Sequence, residues 1–357
     1  MSKPERAPAA PTIERKALIA ALTACVRATD ELVLLGDGFV AGVGSTMSVV
    51  VPLPGSVAGV AVHGRSLLER VKRMPDGPIV LTAVDTSLAV SAPGSTRRFR
   101  LPSAPGADYP MVPQVPEGAA VSTLPSAVLA ELIARTSPAI SPDVSRPHLN
   151  AALFEWEGET ARMVTTDGHR LCLRECATPG QAGSVTALLA ARTIAAMSAL
   201  IADGSESVEL IPDAGALFLR TPAQTLWTAL VDSEFPPYRQ VIPESSAHQV
   251  VAPRAALMDA IRAVAVAARK DHGGVRCEFK PGALRLIGES PEGGDARDEL
   301  AVDGEAKVTM GLAARYILDA LEAVEGESAK LGISGELDPV VVTGDGGALT
   351  VVMPMRV

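Results

Sequence analysis

Thr166-Asp-Gly-His-Arg-Leu171 and, far downstream, Val351-Val-Met-Pro-Met-Arg-Val357 are the two stretches on which the reading of this chain turns. Asp167-Gly168 is a turn pair, because glycine adopts a backbone conformation closed to other residues, so the first stretch reads as a strand broken by a tight turn. His169 and Arg170 would then project from a rigid bend beside an apolar strand. The second stretch reads as an apolar strand in which Pro354 removes a ladder donor and favours a sheet edge. Met353 and Met355 flank that proline, and the adaptable methionine side chain suits a groove that admits several related ligands. The plain alternative is a last strand that packs into its own sheet.

The rest of the chain frames these stretches. Its 357 residues suit two or three domains of roughly 100 to 150 residues each. Hydrophobic residues reach 47% but aromatics only 3%, so the core is aliphatic and base stacking on aromatic platforms is disfavoured as a way to hold nucleic acid. Cys25, Cys172, Cys176 and Cys277 are scattered. Cys172 and Cys176 fall on one face of a strand, but no second Cys or His pair follows at zinc spacing, so no metal site is expected. No signal peptide or apolar run of about 18 residues is present, which points to a soluble cytoplasmic protein with reduced thiols and no membrane partner. Met1 to Thr12 holds prolines, alanines and mixed charges without periodicity and reads as a disordered tail.

Six segments have helical spacing, and they come in pairs. Glu14–Arg27, Pro125–Thr136 and Pro253–Lys270 form one series; Arg65–Met74, Ala191–Ala202 and Leu312–Val324 form the other. Leu18, Leu22 and Val26 make one apolar stripe, as do Leu129, Leu132 and Ile133, and Leu257, Ile261 and Val264. Pro125 and Pro253 lie where a first helical turn tolerates proline. Ser207–Leu219, Leu226–Val231, Gly282–Ile287 and Ala348–Val352 have strand composition. Ala107-Asp-Tyr-Pro110 is echoed by Glu234-Phe-Pro-Pro237. Three copies of one α+β module, each with two helices packed on antiparallel sheet, fit these spacings.

A net charge of −9 spread evenly would repel DNA, since phosphate neutralisation dominates non-specific affinity. The six helical segments, however, carry 14 Lys and Arg against 6 Asp and Glu, and the remainder carries 18 against 35. If the helices share one surface, that surface is basic and would touch backbone without reading bases. Arg65, Arg70, Lys72, Arg73, Arg254, Arg262, Arg269 and Lys270 are the richest contributors. Ordinary solubilising charge is the competing explanation. Asp167 and His169 could be read as part of a hydrolytic dyad, but no nucleophile sits in a recognisable elbow. No catalytic residue and no cofactor is expected.

Both quoted stretches, with Phe235-Pro-Pro-Tyr-Arg-Gln-Val-Ile-Pro243, resemble the bacterial sliding clamp family, the β subunit of DNA polymerase III, over residues 95–357. The resemblance also runs through Leu149-Asn150, Leu153-Phe-Glu155 and the helix containing Tyr316-Ile-Leu-Asp319. It implies a peptide pocket built from Leu149, Thr166, Gly168, His169, Arg170, Leu171, Pro236, Val241, Val351, Val352, Met353, Pro354, Met355 and Arg356. It implies clamp modules over 13–115 (divergent and shortened), 120–245 and 248–357, closing head to tail as a homodimeric ring around double-stranded DNA. Lys72, Arg73, Arg146, His148, Arg192 and Arg262 would face DNA. Partners would be the polymerase α subunit, the clamp loader and other clamp-motif proteins, and the role would be processivity without catalysis.

Ring closure in that family sets Phe99 and Leu101 against Val266 and Ala267, which are smaller here than the usual Ile and Leu. Each missing methylene removes roughly 0.8 kcal/mol of burial, so the ring should be weaker than usual. Pro147 and His148 replace paired tyrosines, Gln240 replaces a common arginine, and the first module lacks an acidic signature. A clamp-like paralogue that binds clamp peptides without stable closure is therefore the second reading.

Overall fold

The computed structural model describes residues 12–29, 31–55, 59–268, 273–291 and 294–356. The expected tail lies outside them except for Thr12, which opens a strand, and Arg269 and Lys270 lie outside them as well. In chain order the first elements are β1 (Thr12–Glu14), α1 (Arg15–Ala28), β2 (Leu32–Gly36), β3 (Phe39–Val43), β4 (Met47–Pro52), β5 (Val60–His63), α2 (Gly64–Lys72), β6 (Pro78–Val84), β7 (Ser87–Ser91) and β8 (Arg98–Pro105). Next come β9 (Ser122–Pro125), α3 (Ser126–Thr136), β10 (Ala151–Gly158), β11 (Thr160–Thr166), β12 (Arg170–Ala177), β13 (Gly183–Ala190), α4 (Ala191–Ile201), β14 (Ser207–Asp213), β15 (Ala216–Arg220) and β16 (Thr225–Ala229). The last are β17 (His248–Pro253), α5 (Arg254–Ala265), β18 (Gly274–Lys280), β19 (Ala283–Ser290), β20 (Gly294–Ala301), β21 (Val308–Ala313), α6 (Ala314–Ala323), β22 (Glu325–Ile333), β23 (Val340–Asp345) and β24 (Ala348–Val352).

The order β-α-β-β-β-β-α-β-β-β thus occurs three times, which makes the chain an α+β repeat protein. The first third, read from sequence as shortened, carries the same set of strands and helices as the other two.

The chain divides into two compact units, Met1–Ser126 with Ala195–Leu230, and Ala127–Ile194 with Val231–Val357. The first unit is built on an antiparallel twelve-stranded sheet of order β1-β6-β7-β8-β5-β2-β3-β4-β16-β15-β14-β9. The join between early and late strands is β4 against β16, where Ser48 faces Trp227 and Val49 faces Leu226. The second unit holds an eight-stranded sheet, β13-β10-β11-β12-β24-β23-β22-β17, and a four-stranded one, β20-β19-β18-β21.

The helices bury the stripes that their spacing implies. Leu18 and Leu22 of α1, Leu129 and Leu132 of α3, and Leu257, Ile261 and Val264 of α5 are all inside. Val26 is only half-buried; Cys25 takes the fully buried place beside it. Pro125 and Pro253 are not in first helical turns but end the strands immediately before α3 and α5. A proline there costs no ladder donor that the helix needs. Helix α5 also ends at Ala265, earlier than expected, because Ala267 and Ala268 bond three residues back, to Val264 and Ala265, and tighten the chain out of α-helical geometry.

Two glycines let helices lie against strands. A Cβ on Gly42 of β3 would stand 2.3 Å from the Cys25 carbonyl oxygen of α1, and one on Gly288 of β19 would stand 2.0 Å from the Val264 carbonyl oxygen of α5. Both obstacles are backbone, so neither can swing aside. Gly288→Ala is expected to lower unfolding stability by about 1–3 kcal/mol through overpacking. Chemical denaturation of the purified variant checks this.

Candidate functional site

The hairpin that joins β11 to β12 carries the first of the two decisive stretches. Gly168 sits at φ +92°, a left-handed conformation that suits glycine. The Asp167 carboxylate accepts the backbone N–H of His169 at 2.9 Å and of Arg170 at 3.0 Å, and Thr166 Oγ donates to the Arg170 carbonyl at 2.7 Å. Asp167 is therefore a turn brace. His169 meets it through backbone alone, while its ring stacks near Tyr316 at 6.5 Å, so the hydrolytic dyad considered from sequence does not form.

Strand β12 pairs with β24, placing Arg170 opposite Val352 and Leu171 opposite Val351. The Met353 N–H donates to the His169 carbonyl at 2.9 Å, and the Met355 N–H to the Gly311 carbonyl at 2.8 Å. Segments nearly two hundred residues apart in sequence thus share one sheet.

Above Leu171 lies a cleft of about 310 Å³, lined by Arg146, His148, Leu149, Thr166, Gly168, Leu171, Pro236, Tyr238 and Val241. Leu149 and Leu171 are buried, whereas Val241 keeps 45% of its surface exposed. Val351 lies beneath, in an apolar cluster with Val164, Leu171 and Tyr238. Val352 belongs to a different core, with Leu331 and Val342. Met353 is exposed, Pro354 and Met355 are half-buried, and Arg356 and His169 are exposed. None of the four residues after β24 is in the lining of the cleft itself, nor is His169.

Arg170 departs most from its expected projection. It is 4% exposed, and its guanidinium bonds Asp319 and the Pro138 carbonyl, reaches Asp167 at 3.1 Å and lies 4.4 Å from the Tyr316 ring centre. Burial opposes its charge, but the Asp319 hydrogen bond and the fields of Asp319 and Asp167 outweigh that, and its pKa rises above the ordinary arginine value. It anchors the hairpin to α6.

Tyr238 was not singled out from sequence. It opens a short 3-10 turn, Tyr238–Gln240, and its hydroxyl donates to Glu155 at 2.9 Å, with Glu155 held in turn by Arg162 at 3.2 Å. Burial and the Glu155 bond raise its pKa. The available signal was a tyrosine, one of three in the chain, next to Pro236-Pro237.

The basic residues divide in use. Lys72, Arg73, Arg146, Arg192 and Arg262 are exposed and His148 is half-buried. Lys72 pairs with Glu69 at 3.6 Å and Arg262 with Glu322 of α6 at 2.9 Å, which offsets part of their charge. Arg254 is tied to the Gly326 and Leu321 carbonyls, and Arg135 to the Glu322 carbonyl and the Glu325 carboxylate. Arg146 and His148, assigned to DNA from sequence, line the cleft. Leu101 and Ala267 are 2% and 5% exposed, whereas Val266 is 85% exposed and Phe99 half-buried. Leu101 packs inward opposite Leu88. Among the described residues no cluster of His, Cys, Asp and Glu could hold a metal, and no helix is long and apolar enough to cross a membrane.

The repeated α+β architecture is shared with solved bacterial clamps. Residues 123–237 match the central domain and residues 239–356 the C-terminal domain of the DNA polymerase III beta subunit. The beta sliding clamp of Caulobacter vibrioides is 30% identical over 318 residues, covering 86% of this chain and 84% of its own, and that of Pseudomonas putida is 29% identical over 307 residues, covering 85% and 83%. The crystal structure of the C. crescentus beta sliding clamp superposes with a TM-score of 0.88 at 27% identity, covering 97% of this chain and 99% of its own. The chain belongs to the DNA polymerase III beta subunit family. Its function is that of a sliding clamp, a processivity factor that works without a catalytic centre of its own.

Arg170→Ala should leave Asp167 and Asp319 without their shared partner and cost about 3–5 kcal/mol. Arg170→Lys should recover only part of this, since an ammonium lacks the planar fork that serves several acceptors at once. Urea denaturation of both variants measures the difference. The buried thiols give a second check: burial pushes Cys25 and Cys277 up to about 12 and Cys172 up to about 11. At pH 8 all three should resist alkylation in the folded protein and react together once it is unfolded.

Proposed function

We propose that the cleft over Leu171 receives short linear peptides of replication proteins, tethering the polymerase α subunit, the clamp loader and other clamp-motif proteins. The observation that carries this is the convergence of Leu149, Thr166, Gly168, Leu171, Pro236 and Val241, drawn from distant parts of the chain, around one apolar cavity. Its volume suits a few side chains of a ligand rather than a folded partner. The C. crescentus clamp was crystallised with PEG bound to that protein's own proposed beta-motif tethering region, which supports the same use. His169, Met353, Pro354, Met355 and Arg356 would extend the site beyond the end of β24, while Val351 supports it from beneath and Arg170 and Val352 hold the paired strands from other contacts.

In this reading the chain has three modules, 13–115, 120–245 and 248–357, and two copies close head to tail around double-stranded DNA in the cytoplasm. Lys72, Arg73, Arg192 and Arg262 face the phosphates. Such a ring needs little affinity for DNA, because closure itself retains it. Tethering then works by effective concentration, so weak peptide contacts suffice to keep a polymerase at the template.

Phe99 and Val266 are the contacts available at the closure, with Leu101 and Ala267 supporting them from within. So small an apolar contact favours a ring that opens readily, and a clamp that is partly monomeric is the second reading. Sedimentation velocity at nanomolar concentration should show monomer and dimer together; a fully dimeric boundary overturns the weak ring. Met353→Ala combined with Met355→Ala should abolish capture of polymerase peptides while the fold persists, since Met353 ties to the hairpin through its backbone. Fluorescence anisotropy with unchanged affinity refutes the peptide site.

A further inference from the structure

A second cavity, of about 140 Å³, opens in the first unit between the start of β2 and the segment that follows β8. We propose that it is a separate peptide-docking site, which takes one aliphatic side chain of a partner protein flanked by Lys or Arg. It shares no residue with the cleft over Leu171 and stands whatever that cleft binds.

The cavity is built where the first repeat of strands and helices corresponds to the cleft of the second. One wall is the entry to the first strand after a helix: Thr29, Glu31 and Leu32 at β2, and Arg146, His148 and Leu149 ahead of β10. Another is the end of the next strand, Val43 in β3 and Thr166 in β11. The last is the exit segment with its 3-10 turn, Gly106–Asp108 in one case and Tyr238–Gln240 in the other. A concavity that recurs at the same junction is a property of the repeat. Its frame is also fixed. The Tyr109 hydroxyl accepts the Val43 N–H at 2.8 Å and donates to the Leu32 carbonyl at 3.0 Å, which holds the ring as a wall. The Gly106 N–H donates to the Gly59 carbonyl at 2.7 Å, and the Tyr109 N–H to the Gly106 carbonyl at 3.1 Å. A preformed cavity takes a ligand at low ordering cost.

Size and charge define the occupant. Leu32, Val43, Ala61 and Ala104 make the lining apolar, and Leu32 keeps 37% of its surface in solvent. A ligand that covers it removes that surface from water. A cavity of roughly 150 Å³ holds one group the size of benzene, so the anchor is a single side chain such as Leu or Met. Glu31 and Asp108 are exposed at the mouth, and the described lining holds no Lys, Arg or His. The Glu31 N–H donates to Thr29 Oγ1 at 3.2 Å and its carbonyl accepts the Gly64 N–H at 3.0 Å, so backbone fixes this residue and its carboxylate is not needed for the loop. Two carboxylates beside an apolar hole repel nucleic acid and attract a cation next to an aliphatic group. A lysine or arginine adjoining a leucine in an extended peptide has that form, whereas a simple polyamine leaves the apolar hole unused.

The test uses the full chain and short fluorescein-labelled peptides with a central Leu flanked on both sides by Lys or, in a second peptide, by Gln. By anisotropy the wild type should bind the Lys peptide about three- to tenfold more tightly, a range set by two exposed charge contacts, and high salt should erase the difference. Glu31→Gln with Asp108→Asn should remove the preference, and Ala104→Met, which fills the cavity, should weaken both peptides by about tenfold or more. With a diazirine analogue of leucine as the anchor, cross-links should map to residues 29–32 or 104–110. No binding of the Lys peptide, or equal affinity for the two peptides, overturns the proposal. A preference that survives in the double variant overturns it too, and assigns the effect to the field of the whole acidic chain. Cross-links on the β11–β12 hairpin, or binding undiminished by Ala104→Met, overturn the location. Failure of the cleft over Leu171 is read separately, from polymerase peptides and the Met353 and Met355 variant, neither of which involves this cavity.

Discussion

Arg170 brings a charge that cannot be discharged into a nearly closed site, and the groups that compensate it come from three places in the second unit: Asp167 of the hairpin, the Pro138 carbonyl after α3, and Asp319 of α6 with the Tyr316 ring. A buried guanidinium is stable only while every one of those partners is in place. The hairpin that floors the cleft is consequently registered to a helix from a distant part of the chain, and a shift of either would strand at least one ion. A hydrophobic residue here could pack as tightly, but it would tolerate sliding. Directional bonds specify one arrangement of the hairpin, and a binding cleft depends on that.

A second buried arginine repeats the device four residues along the same strand. Arg174 meets Glu131 of α3, Glu325 of β22 and the Gly346 carbonyl. Arg170 and Arg174 lie on one face of β12, since strand side chains alternate, and together they tie the eight-stranded sheet to α3, α6 and the turn before β24. The cleft sits on a sheet braced by two buried arginines.

How much of this was legible in the sequence follows from the range of the interactions involved. Leu257, Ile261 and Val264 announced α5 because helical periodicity is local, and Asp167-Gly168 announced its turn for the same reason. The three-fold order of strands and helices followed from the spacing of those local signals. Arg170 was misread as a projecting side chain because its partners, Pro138, Tyr316 and Asp319, are far away in sequence, and nothing beside it foretells burial. Leu101 reads equally well on either face of β8 until the buried Leu88 is seen opposite it. Arg146 and His148 were assigned to DNA on their charge, and their place in the cleft lining was hidden because it depends on how the loop folds back on Asn150. Tyr238 was passed over because its partner Glu155 lies on a strand that only the fold brings near.

The distribution of charge also changes meaning once contacts are known. A surplus of Lys and Arg on helices suggested a basic face, yet Arg254 and Arg135 are occupied with carbonyls and carboxylates, and Arg262 is answered by Glu322. What remains for a polyanion is smaller than the residue count implies. For a clamp held on DNA by the ring closure proposed above, this is an advantage. Each firm phosphate contact would add friction to sliding and salt dependence to loading, whereas a few exposed cations centre the duplex without holding it. The chain spends its strong ionic interactions on keeping its own parts in register, and leaves its weak ones for the molecules that must come and go.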